Sequence, residues 1–274
     1  MTAQPPRFGG YDVTTLLDGI FEAPADVIVH QSGAAARAEA IARFGQPRIS
    51  IAVNCFALRD AGGVTLVDAG TGPSWGAALG HAPQAMAEAG IRPEDVGRVL
   101  VTHLHGDHAL GLFDGERPRF PAAEIVVPQA DLGYYGDEAK RAATPESKRG
   151  AFDIAASLRR LYAGRIRAAE PGPVLPGVAL VPLPGHSFGH SGYLIGDGER
   201  SLLLWGDALH LGALQAADPA IGMVYDLDAN QAVRSRRDIL ERAAAKGWTV
   251  SGGHITGFRQ VRRQGDGYAL VPAA

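Results

Sequence analysis

The chain of 274 residues is 46% hydrophobic and 20% charged, which excludes disordered, collagen-like and coiled-coil polypeptides and allows a sizeable core within one large or two small domains. With 26 Lys+Arg against 29 Asp+Glu the net charge is -3 and no basic block is present, so nucleic acid is not an expected partner. Cys55 is the only cysteine, which rules out an internal disulfide and restricts any metal site to nitrogen and oxygen ligands.

Pro5 and Pro6 interrupt the stretch where a signal peptide needs a continuous apolar core, and no run approaches the ~20 apolar residues of a membrane span. A soluble, cytoplasmic protein without membrane association is therefore expected. Residues 11–17, 49–58 and 64–68 read as strands, the last two forming a hairpin about Ala61-Gly62-Gly63. The Ala-rich run 34–44 favours helix, and residues 20–45 as a whole read as a surface insertion or a homodimer contact. A helix is expected over 84–89, ended by Gly90 in a left-handed conformation, then a turn at 93–95 and a short apolar strand over 99–102.

Residues 125–127 read as a strand, and 151–165 as a helix with Phe152, Ala155, Leu158 and Leu161 on one face. Strands are expected over 178–183, 193–195 and 202–205. Asp228 caps a long helix reaching Ala245, and late strands lie over 248–250 and 268–271. Strands in both halves, with helices between groups of them, imply an α/β protein whose sheets are stacked inside layers of helix. Cys55 lies in an apolar run with nothing beside it to lower its pKa, so it reads as a buried small side chain.

The strand at 99–102 exits into His103-Leu104-His105-Gly106-Asp107-His108, the densest group of ligand-type side chains in the sequence. In extended chain alternate residues point the same way, so His103, His105 and Asp107 can converge. A bend at Gly106 swings His108 toward a neighbouring centre, and one loop can thus feed two metals.

This His-x-His-x-Asp-His run resembles the signature of the metallo-β-lactamase fold hydrolases, and further motifs follow in the family's order. They are Asp68 in Val67-Asp68-Ala69-Gly70, His186 in Pro184-Gly185-His186, Asp207 in Trp205-Gly206-Asp207 and His254 in Gly252-Gly253-His254. The resemblance implies an αββα four-layer sandwich in one domain over residues 1–274. It implies that His103, His105 and His186 hold one divalent metal, that Asp107, His108 and His254 hold a second, and that Asp207 bridges both. Such ligands suit Zn2+ and also Mn2+, Fe2+ or Co2+. Asp68 is expected to support the metal loop and His190 to stabilise the ligand turn from behind. His30 and His81 have surface or structural roles as their default.

The run 205–210, Asp218-Pro219-Ala220, the helix start at 226–228 and the segment 267–272 resemble the methyl parathion hydrolase branch, which is close to the N-acyl homoserine lactonases. That implies hydrolysis of an uncharged small-molecule ester, lactone or organophosphotriester by a hydroxide shared between the metals, with Asp107, Asp207 and His210 as catalytic residues. His210 stands where the lactonases carry a tyrosine. Tyr135 and Phe152 correspond to the branch's aromatic substrate pocket, or else are core aromatics. A glyoxalase II-like thioesterase and a non-catalytic metal-binding or sensor module are the alternatives.

Overall fold

Two halves of the chain make two sheets, seen in a computed structural model that describes residues 4–273. The first sheet has seven strands in the order Arg7–Phe8, Tyr11–Pro24, Arg48–Asp60, Gly63–Val67, Val96–Leu100, Glu124–Pro128 and Ile166–Ala169. The second, also seven-stranded, runs Gly172–Leu175, Val178–Pro182, Ser191–Ile195, Leu202–Leu204, Thr249–Ser251, Arg259–Gln264 and Gly267–Pro272. Alternation along the strands decides what each face covers. Phe56, Leu58, Val67, Leu100 and Val126 of the first sheet meet Val178, Leu180, Tyr193, Leu202 and Leu204 of the second in one buried cluster.

The outer faces are covered by helices, which completes the four layers. On the first sheet Leu66, Val99, Ile125 and Val127 pack against Met86, Phe152, Ile154 and Leu158 from helices Ala82–Glu88 and Gly150–Leu161. On the second, Val181, Leu203 and Val250 pack against Ile239, Leu240 and Ala243 of helix Ala229–Lys246. Among the described residues no helix is long and apolar enough to cross a membrane.

Topology brings the chemistry-bearing loops to one end. Gly63–Val67 and Val96–Leu100 are parallel neighbours, so Asp68 and the His103–His108 run leave adjacent strand ends. Leu202–Leu204 and Thr249–Ser251 are likewise parallel neighbours, and from their ends come Asp207 and His254. His186 lies in the connection between antiparallel strands Val178–Pro182 and Ser191–Ile195.

Most expected elements form, with differences at their limits. The first strand does not stop at Leu17 but continues to Pro24 through a register shift between Leu17 and Gly19. That bulge frees the buried Asp18 carboxylate to accept from the backbone N–H groups of Thr71, Gly80 and Ala82 and from the Thr71 hydroxyl. The helix expected over 151–165 ends at Leu161. The Tyr162 hydroxyl donates to the Leu112 carbonyl at 2.7 Å, and the chain turns there to Arg165. Gly90 takes φ 67°, its N–H bonding Ala87 while that of Ile91 bonds Met86, which closes helix Ala82–Glu88 in a Schellman motif. Strand Arg259–Gln264, rich in arginine, was not foreseen because its charged residues mask its alternation.

The segment 20–45 begins inside the long first-sheet strand and contains strand Ile28–His30 and helix Ala34–Phe44. Its Ala25, Ile28 and Ala40 are buried against Leu211, Ile221 and Met223, so it packs onto the connection that follows Asp207.

The Asp228 side chain accepts from the Gln231 N–H at 2.9 Å at the start of the 18-residue helix. Asp228→Ala should therefore cost about 1 kcal/mol of stability. A lower urea midpoint with unchanged dependence on urea concentration is the expected result.

Candidate metal centre

A buried imidazole can offer a lone pair from one nitrogen when the other gives its proton to an acceptor. The loops supply such acceptors behind the histidines. His108 Nδ1 donates to Asp68 Oδ2 at 2.8 Å, and His254 Nδ1 to the Ala52 carbonyl at 2.7 Å. His186 Nδ1 donates to Asp226 Oδ1 at 3.0 Å. The Thr102 hydroxyl gives its hydrogen to Asp68 Oδ2 at 2.8 Å, so its oxygen accepts from His103 Nδ1 at 3.0 Å. Each of these rings then turns Nε2 inward.

Asp68 carries this arrangement in a backbone that few side chains adopt. Its φ of 60° is the only positive value at a non-glycine among the described residues. The conformation costs an aspartate about 1 kcal/mol and aims its carboxylate under the loop. There it also accepts the Thr102 N–H at 2.8 Å. Close approach continues at Gly253, where a Cβ would stand 2.6 Å from His108 Cε1 and 2.8 Å from Asp207 Oδ1.

Inward-facing atoms gather into overlapping groups. One is His103, His105 and His186, another Asp107, His108, Asp207 and His254, and a third His186, Asp207 and His210, with the donor atoms of each group within 4.8 Å of one another. Asp207 stands between them. Its Oδ1 is 3.1 Å from His108 Nε2, and its Oδ2 is 3.2 Å from His186 Nε2, 3.2 Å from His210 Nε2 and 3.0 Å from His254 Nε2. Asp107 Oδ2 lies 3.5 Å from His108 Nε2 and 3.4 Å from His254 Nε2. His105 Nδ1 faces His186 Nε2 at 2.9 Å.

The residues present fit divalent cations. His103 Nε2, His108 Nε2 and Asp207 Oδ1 are buried without a hydrogen-bond partner, a costly condition for polar atoms unless something binds there. Burial, then the charges of neighbouring histidines, holds His105 at about 3 and His103 well below its usual value, which keeps both in the neutral ligating form. His186 behaves differently: burial pulls it down, but Asp207 and Asp226 together push it up to about 9.

His190 faces away from this gathering. Its Nδ1 donates to the Leu183 carbonyl at 2.8 Å, and its Nε2 accepts the Asp207 N–H at 2.9 Å, so it holds the backbone of the central carboxylate. His210 is buried beside Asp207, and burial holds it at about 4. Tyr135 and Phe152 stand in the core. They are 7% and 3% exposed and meet edge to face at 5.1 Å, because the inward face of helix Gln129–Tyr135 carries Tyr135 while Tyr134 faces out and stacks on Phe188.

Several contributors were not legible in the sequence. The fully buried Asp131 accepts the Leu104 N–H at 2.8 Å, the Ser187 hydroxyl at 2.6 Å and the Gly189 N–H at 2.8 Å, which ties the two histidine loops together. Asp226, held at about 2 by His186 and Arg236 against its burial, orients His186. Arg236 is buried and donates to the carbonyls of Ala208, Pro219 and Ile221, so it fixes the connection between Asp207 and Asp226. The aromatic side chains that do border the centre are Trp75, Phe21 and Tyr225. Trp75 lies against Gly106, and ring centroids run from Trp75 to Phe21 at 6.0 Å, to Tyr225 at 6.4 Å and to His210 at 6.2 Å. No local motif marks these residues, since each comes from a different segment of the chain.

Asp226→Asn should weaken metal binding by about tenfold, because the neutral amide no longer supports His186. Competition with a chromogenic chelator measures it. A cation must also displace the proton of His186, and those of His108 and His254, which the neighbouring carboxylates likewise hold up against burial. The apparent affinity of metal-free protein should thus rise with pH through about 9. In the same metal-free protein, the stability that the His186 proton contributes is fully present below about 6.5 and is lost as pH climbs through about 9.

Comparison with known proteins agrees with this geometry. The family profile described as the metallo-β-lactamase superfamily matches residues 50–254, a span that runs from the first-sheet strand Arg48–Asp60 to His254. Probable metallo-hydrolases of Mycobacterium bovis and Mycobacterium tuberculosis are each 30% identical over 156 residues, covering 48% of this chain and 44% of their own length. The chain thus matches less than half the length of these relatives. Among solved structures, hydrolase AbOPH of the β-lactamase superfamily aligns with a TM-score of 0.87 at 22% identity, covering 100% of this chain and 99% of that one. AidC, a dizinc quorum-quenching lactonase in complex with a product, aligns with a TM-score of 0.85 at 19% identity over 98% of this chain and 96% of that one. At these identities the structures show a shared fold, while the profile match shows the family: the chain belongs to the metallo-β-lactamase superfamily.

Proposed function

We propose that the protein is a dinuclear metal-dependent hydrolase that cleaves an uncharged ester, lactone or organophosphotriester linkage. The observation that carries this reading is the set of donors around Asp207, of which His108, His186 and His254 have their outer nitrogens pinned by acceptors. In it His103, His105 and His186 would hold one cation, and Asp107, His108 and His254 the other, with Asp207 placed between the two groups. Divalent cations there, zinc foremost, would supply Lewis-acid chemistry toward water and toward a carbonyl or phosphoryl oxygen.

The chain's own residues do the rest. Burial holds His210 at about 4, and its Nε2 lies beside Asp207 Oδ2 at 3.2 Å, where a neutral N–H can steady a departing oxygen by a hydrogen bond. Trp75, Phe21 and Tyr225 form an apolar border that holds the substrate's hydrocarbon part and displaces water from the reacting group. The probable metallo-hydrolases among its relatives, and the lactonase among its structural neighbours, support the same reaction class.

Asp207→Ala or His254→Ala should reduce the metal content of the purified protein by about one ion and lower kcat more than about a hundredfold. Elemental analysis paired with ester turnover tests this, and full activity in either variant would sink the two-metal reading. The ratio of kcat/KM for an N-acyl homoserine lactone to that for a methyl phosphotriester with an aryl leaving group assigns the preferred linkage.

A further inference from the structure

Trp75 can border the centre only if the loop that carries it is held in place. From strand Gly63–Val67 the chain passes through the turn Gly72–Trp75 and enters helix Ala82–Glu88. On the way the Trp75 ring packs on Gly106, between the donors His105 and Asp107, so closely that a Cβ at Gly106 would stand 2.8 Å from Trp75 Cζ2. The residues between that turn and helix Ala82–Glu88 belong to no helix or strand. Their backbone groups therefore need partners from elsewhere.

Asp18 supplies them. Its Oδ2 accepts the Thr71 N–H at 3.2 Å, the Thr71 hydroxyl at 2.7 Å and the Gly80 N–H at 3.0 Å, and its Oδ1 accepts the Ala82 N–H at 3.0 Å. Its main-chain carbonyl takes the His81 N–H at 2.9 Å, and two residues on, Ile20 gives its N–H to the Ala78 carbonyl at 3.2 Å. One fully buried residue thus gathers both limbs of the loop, Thr71 before Trp75 and residues 80–82 after it. The entering limb is tied in turn to the metal-ligating loop. The Ala69 N–H donates to the His108 carbonyl at 2.8 Å, and the Gly111 N–H to the Gly70 carbonyl at 2.8 Å.

We infer that Asp18 is a positioning residue for substrate selection: by closing the base of this loop it fixes the Trp75 indole as a wall beside the centre, and through that wall it sets how well a large apolar substrate group is accepted relative to a small one. This role rests on the hydrolase reading above and adds to it a residue that determines specificity. A carboxylate suits the task because both of its oxygens only accept. An amide in its place would set an NH2 against an N–H whichever way it turned, since both ends of the side chain face main-chain donors. A loosened base would let the indole leave Gly106, and a wall that must be ordered each time substrate arrives contributes less to binding.

On metal-loaded enzyme, the readout is the ratio of kcat/KM for p-nitrophenyl octanoate to that for p-nitrophenyl acetate. Asp18→Asn should lower this ratio about tenfold. Trp75→Ala should lower it as far, and adding Asp18→Asn to Trp75→Ala should change it no further, because the two act through one wall. Metal content measured on the same samples should match between Asp18→Asn and the unaltered enzyme. Acrylamide quenching of fluorescence gives a readout independent of turnover. Trp75 is 39% exposed while Trp205 and Trp248 are 0% and 8% exposed, so quenching reports mainly on Trp75 and should rise in Asp18→Asn. Thr71→Val, which removes only the hydroxyl, should shift both the ratio and the quenching less and in the same direction, and it serves if Asp18→Asn does not fold. An unchanged ratio, quenching that does not rise, a further fall in the double variant, or a loss of metal that accompanies the fall each overturns the role of Asp18. If the unaltered enzyme hydrolyses neither ester the hydrolase reading fails, and the positioning of Trp75 by Asp18 is then decided by the quenching alone.

Discussion

Everything at the centre depends on how a buried histidine spends its one proton. An imidazole turns a lone pair inward only if its other nitrogen faces an acceptor outward. Four rings meet that condition here through Asp68, Thr102, Asp226 and the Ala52 carbonyl. Removing any one acceptor leaves a ring free to flip. The outer acceptors are therefore as much a part of the site as the donors that face one another across Asp207.

Holding so many polar groups out of water requires scaffolding, and the fold concentrates it in a few buried charges. Asp68 adopts a left-handed backbone to reach beneath the loop, and Asp131 joins the two histidine loops through three donors. Arg236 reaches three carbonyls and the neighbourhood of Asp226 from a helix on the far side of the second sheet. Each of these groups is satisfied by hydrogen bonds, which is the condition under which burial of charge is tolerated. The two sheets contribute in the same way, each placing ligand-bearing loops at the ends of a pair of parallel strands. Parallel neighbours end on the same side, and so their exit loops meet.

The surroundings divide by chemistry. Trp75, Phe21 and Tyr225 form an aromatic border, while a cavity beside His210 and His254 mixes aliphatic residues with Ser50, Thr256, Arg43 and Arg259. The metal-ligating cluster is thus flanked by one aromatic environment and one of mixed aliphatic and polar residues. The segment 20–45 matters to both, since Phe21 belongs to the border and Arg43 and Phe44 to the cavity.

Donors were legible in the sequence because they are dense or punctuated: four in the His103–His108 run, and His186, Asp207 and His254 each beside glycine. The alternation of strands and the Asp228 cap were legible for the same reason, being local patterns of period and capping. Asp131, Asp226 and Arg236 were not, because an isolated charge in a helix or loop looks like a solvated one until burial is known. Tyr135 and Phe152 could equally have lined a pocket or the core, and helix phase decided for the core. Sequence by itself determined which side chains can bind a cation, because that is a property of residue type and short-range spacing. The tertiary structure alone decided which acceptors pin them, which aromatics border them and where a charged cavity opens, because these depend on segments far apart in the chain that only sheet pairing and layer packing bring within contact.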